Sequence, residues 1–97
     1  MNTQLDQARS DLNETDIAPI FYLKAIDTLL DAGLHQEVID SILARFDTFA
    51  PIHIELVRKL AGIERHLNPH QRELASVLLR QEGLVFPSDL VHRITIS

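Results

Sequence analysis

Leu67-Asn68-Pro69-His70-Gln71 is the most sharply punctuated stretch of this chain. Asn68 can accept a hydrogen bond from a free helix amide, and Pro69 suits a first helical position where no N–H is needed. Gln71, three residues after Asn68, can reach back and complete a capping box. The stretch therefore predicts a helix starting at 69. Leu74, Ala75, Val77, Leu78 and Leu79 give that helix a wide apolar face, and Gly83 closes it near residue 82.

Working outward, 51–66 reads as the helix before this corner. Thr48 offers a cap and Pro51 suits an early helical position. Ile52, Leu56, Val57, Leu60, Ala61 and Ile63 form its expected buried face. Gly62 lies inside it, at about 1 kcal/mol relative to alanine, or else ends it early.

A second pair of helices precedes these. Pro19 opens a helix over about 17–32, with Ile20, Leu23, Ile26, Leu29 and Leu30 on one face, widened by Phe21 and Ala25. Gly33 supplies its stop. Val38, Ile39, Ile42, Leu43 and Phe46 then repeat at helical spacing over about 35–47. So short a connection makes the two helices antiparallel neighbours, a hairpin over 19–47. No second copy of it recurs at a fixed period.

The ends are weaker. Leu5, Ala8 and Leu12 make a thin stripe over about 2–13, and 13–16 is a break. In the tail, Ser88 can cap a short helix over 89–94, while the β-branched residues of 91–96 equally suit a strand. The balance favours a short helix followed by an extended end. The expected fold is thus all-α: a small bundle of four to five helices in one domain, with 1–14 and 84–97 at its periphery.

Composition agrees. The chain has 97 residues, 45% of them hydrophobic and 24% charged, which suits a folded domain and not a disordered one. Trp is absent, and the apolar residues are mainly aliphatic, favouring interdigitating helices. There is no cysteine, so disulfides, thiolate metal sites and cysteine nucleophiles are excluded. The first residues lack the charged start and apolar run of a signal peptide, and no apolar run reaches the ~20 residues of a membrane span. A cytoplasmic protein is expected.

Net charge is −5, unevenly placed. Residues 1–50 carry three basic side chains (Arg9, Lys24, Arg45) against nine acidic ones, a balance of −6, whereas 51–97 balance at +1. Such asymmetry suits a partner of opposite charge or a second copy.

The search for chemistry returns little. His66 and His70 have the i, i+4 spacing of two ligands on one helix face, but the Asn68-Pro69 corner falls between them and removes that geometry. No metal or cofactor site is expected. No serine sits in a nucleophile elbow, and the three glycines make no phosphate loop, so no catalytic residue is assigned and an enzyme is not expected. Arg58, Lys59, Arg65, Arg72 and Arg80 suggest a nucleic-acid face. Glu55, Glu64, Glu73 and Glu82 interleave with them and cancel most of the positive potential. Nucleic-acid binding is the alternative reading. The leading one is a small interaction protein, an adaptor, regulator or inhibitor, that packs helix faces against another protein and forms a homodimer. The partner-binding residues assigned on this reading are Arg58, Arg65, His66, Arg72 and Val91.

Overall fold

The computed structural model describes residues 3–89. Among them every regular element is helical: α1 (Thr3–Asn13), α2 (Pro19–Asp31), α3 (His35–Arg45), α4 (His53–Gly62) and α5 (Pro69–Gln81), with 3-10 segments at Phe46–Ile52 and Glu64–His66. The all-α bundle read from the sequence is therefore the fold. Contacts divide it into two compact units, Met1–Ile52 and His53–Ser97, each with its own core.

In the first unit α1 packs along α2, and α3 packs against both. Ala8 and Leu12 of α1, Ala25, Ile26 and Leu29 of α2, and Val38, Ile39 and Ile42 of α3 are buried. α1 is thus part of the core and not an outlying segment. Gly33 ends α2 at φ +82°, in the left-handed region where a Cβ would be strained. The amides of Leu34 and Gly33 then bond the carbonyls of Leu29 and Leu30 at 2.9 and 3.0 Å, a Schellman closure.

Of the face the apolar spacing predicts for α2, Ala25, Ile26 and Leu29 are buried and Leu23 and Leu30 half-buried, but its first two members are not covered. Tyr22 is fully buried, while Ile20 is 62% and Phe21 53% exposed. The Phe49 ring stacks on Tyr22 with centroids 4.0 Å apart and planes 16° from parallel. The Tyr22 hydroxyl meanwhile shares a 2.6 Å hydrogen bond with Ser41 Oγ. A tyrosine with both a ring partner and a hydroxyl partner is well satisfied in a core.

The second unit bears out the corner at 68. Asn68 Oδ1 accepts from the Gln71 amide at 2.8 Å, and Gln71 Oε1 accepts from the Asn68 amide at 3.0 Å. That reciprocity explains why Gln71 is the buried polar residue of this helix, at 8% exposure. At the far end Gly83, at φ +76°, repeats the closure of α2, with Leu84 and Gly83 amides on the carbonyls of Leu79 and Arg80.

The helix expected over 51–66 is broken into three. Phe49, at φ −113° and ψ 44°, interrupts the 3-10 segment that holds Pro51, so α4 begins only at His53. Gly62 ends it, the earlier of the two stops considered, and Glu64–His66 forms a separate 3-10 turn. On α5 the buried line is Gln71, Ala75 and Leu79, narrower than the predicted apolar face, which leaves Leu74 and Val77 each 43% exposed. The tail resumes helical structure at 87–89, just before the predicted start; residues 90–97, with Val91, lie outside the described residues.

Candidate functional site

Two arginines organise the polar chemistry, one in each unit. Arg45 lies in the last turn of α3. Its guanidinium donates from Nη1 to the Leu12 carbonyl and from Nη2 to the Glu14 carbonyl, the latter at 2.6 Å. These carbonyls lie at and just beyond the end of α1, which has no basic residue in its own last turn. Arg45 therefore supplies the cation that a helix C-terminus favours. The same guanidinium lies 5.5 Å from the Tyr22 ring centre and 5.1 Å from that of Phe49. Burial is the main cause that raises the Tyr22 phenol above its ordinary range, offset in part by Ser41 and Arg45. Tyr22 is held neutral.

Arg9 is committed in the same unit. Its Nε and Nη2 donate to the two Glu37 carboxylate oxygens at 3.0 and 3.1 Å, joining α1 to α3. Two of the three basic side chains of residues 1–50 are thus spent on internal contacts, which leaves an acidic surface. On that surface, Phe21 lines a shallow groove between α1 and α2, with Gln4, Gln7, Asp11, Lys24 and Thr28 around it.

In the second unit Arg72 Nη2 donates to Glu64 Oε2 at 3.2 Å, Ser88 Oγ at 3.2 Å and Asp89 Oδ1 at 3.1 Å. Ser88 in turn donates to Glu64 Oε2. The guanidinium carbon lies 4.7 Å from the Phe86 ring centre, and Phe86 is buried. Hydrogen bonds to Asp89 and then Glu64 are the main causes that raise the Arg72 pKa, so the cation is held.

The assigned partner-binding residues are therefore distributed unevenly. Arg58 and Arg65 are exposed; His66 is half-buried at the end of its 3-10 turn; Arg72 is half-buried and occupied by two carboxylates. His66 and His70 fall on either side of the corner, in different elements. No group of three or more His, Asp or Glu among the described residues is arranged to hold a metal ion. Every buried side-chain nitrogen and oxygen among them has a hydrogen-bond partner. His53, isolated in the sequence, comes within 3.8 Å of Glu82. No helix among the described residues is long and apolar enough to cross a membrane.

Sequence reasoning missed Arg45, Tyr22 and Phe49 as a group. Its one signal was Arg45 as the basic residue ending an amphipathic helix. Nothing local says which carbonyls that residue serves, because they lie more than thirty positions away.

Comparison with family models, with curated proteins and with solved structures finds no match to this chain.

Proposed function

We propose that this protein is a small α-helical interaction module, an adaptor, regulator or inhibitor that acts by packing exposed helix faces against another protein. The observation that carries the reading is the exposure of Ile20 and Phe21, 62% and 53%, side by side on α2. Adjacent large apolar side chains held in water favour a partner that covers them. The net acidic balance of residues 1–50 suits a partner that presents basic residues beside an apolar anchor.

Capture from native lysate tests this, comparing the wild type with an Ile20→Ser/Phe21→Ser double variant. A salt-sensitive partner retained by the wild type and lost by the variant, at unchanged helix content, is the expected result. Equal capture by both proteins would sink the reading. The nucleic-acid alternative draws on exposed Arg58 and Arg65, but Glu64 and Asp89 already occupy Arg72. Site-specific duplex binding abolished by Arg58→Glu/Arg65→Glu, with no protein partner found, would reverse the order.

A further inference from the structure

The outer face of α5 is exposed from its first turn to its last. His70, Glu73, Leu74, Val77, Arg80 and Gln81 are all exposed, whereas Gln71, Ala75 and Leu79 are buried. The exposed six follow the three-and-four spacing of a helix–helix seam. Leu74 and Val77 form its centre, each 43% exposed, close to the midpoint of the thirteen-residue helix Pro69–Gln81. Glu73 and Arg80 flank them, seven positions apart and opposite in charge. Polar His70 and Gln81 stand at the two ends.

We infer that two copies of this chain associate through an antiparallel α5–α5 contact. A two-fold axis at the helix centre sets Leu74 of one copy against Val77 of the other, and the reverse. It also brings Glu73 of each copy to Arg80 of the other, so one register satisfies both charges twice. A parallel pairing would set each charge level with its own duplicate and satisfy neither. The two groups are available for this. Glu73 makes no ion pair or hydrogen bond among the described residues, and Arg80 makes a 3.5 Å bond back to the Ser76 carbonyl of its own helix. His70 meets Gln81 in the same register, so no unlike pair is forced together at the ends.

The overlap is about 20 Å long, which buries less than the ~1,200 Å² of a long-lived complex. Association with a midpoint of roughly tens to hundreds of micromolar is therefore expected. The inference rests on the helix-face reading above, with a second copy as the occupant of this particular face.

Sedimentation equilibrium across a concentration series tests it. The wild type should pass from monomer to dimer, and Leu74→Glu should remain monomeric. Glu73→Arg and Arg80→Glu should each weaken self-association by about tenfold or more, through like-charge contact. Mixed together, the two charge variants should form a heterodimer, since each then presents the charge the other lacks. The double variant Glu73→Arg/Arg80→Glu should recover the wild-type midpoint. Thermal melting of each variant separates lost association from lost folding. A wild type that stays monomeric to about 1 mM overturns the dimer. So does a wild-type dimer that Leu74→Glu and both charge variants leave intact. Lysate capture through Ile20 and Phe21 is read separately: its persistence in monomeric Leu74→Glu protein keeps the two proposals distinct.

Discussion

Arg45 in the first unit and Arg72 in the second each lie over an aromatic ring, yet they hold opposite kinds of group. Arg45 faces neutral carbonyls at the C-terminal end of α1, with Tyr22 and Phe49 stacked beneath it. Its partners are neutral backbone atoms, the bond to Leu12 partly buried and that to Glu14 exposed. Arg72 faces two carboxylates and a hydroxyl, with one ring below. Its own side chain is 36% exposed and that of Asp89 47%. The Arg45 arrangement satisfies neutral acceptors at a helix end, one of them, the Leu12 carbonyl, partly buried. The Arg72 arrangement is a charge network in contact with water, where salt and solvent compete. Arginines over rings in the two units are therefore expected to contribute differently to the fold, most of all in their response to salt.

The largest effect expected from breaking this contrast is at Phe49. Phe49→Ala removes the buried ring that fixes Tyr22 and should cost about 3–5 kcal/mol. Tyr22 is the one tyrosine of a chain without tryptophan, so its fluorescence in a urea titration reports on the first unit alone. Next comes the direct comparison of the two arginines. Arg45→Met should cost about 1–3 kcal/mol and be nearly independent of salt, because the acceptors it leaves are neutral and one is partly buried. Arg72→Met should cost about 1 kcal/mol or less, and that difference should shrink in about 1 M salt. Equal losses with equal salt dependence would erase the contrast between the two sites.

Alkaline pH probes the Tyr22 site without substitution. The folded phenol has a raised pKa, so its contribution is intact below the unfolded value of about 10 and is lost as pH climbs through the folded value. Stability should therefore fall between about pH 10 and the folded value, by at most about 1.4 kcal/mol per pH unit for this group, and level off above it. Tyr22→Phe should flatten the decline. Spectrophotometric titration of the single tyrosine should show ionisation later in the folded chain than in urea.

The smallest expected effects compare two helix starts. α5 begins with a complete capping box, whereas α2 begins at Ala18 with no side-chain cap, although both carry proline at the first turn. Asn68→Ala should cost about 1 kcal/mol. Ala18→Asn should gain between a few tenths and about 1 kcal/mol in the same denaturation assay. A gain at 18 as large as the loss at 68 would show that the box adds nothing beyond one ordinary cap.

These two starts also show how far the sequence could be read. Asn68, Pro69 and Gln71 announce α5 because the groups that bond lie three residues apart. Gly33 and Gly83 announce helix ends for the same reason, since a Schellman closure spans six residues. The first turn of the buried face of α2 was not legible in this way. Ile20, Phe21 and Tyr22 are adjacent, and their apolar character alone favours burying the first two. Phe49 and Ser41 select Tyr22 instead, from 27 and 19 positions away. The candidate arginines show the same limit: the engagement of Arg72 depends on where Glu64, Ser88 and Asp89 come to lie.

The sequence by itself determined the all-α class and, within a few residues, where most helices start and stop. Caps, prolines and glycines act through bonds inside one or two turns, so their geometry is fixed before any tertiary contact forms. Tertiary structure alone decided that Tyr22 is buried in place of Ile20 and Phe21, that Arg45 closes α1, and that Leu74 and Val77 remain in water. Each of those outcomes depends on a partner distant in sequence, and burial is set by what lies opposite a side chain. The corner at Asn68 belongs to the first group; the face that α5 presents beyond it belongs to the second.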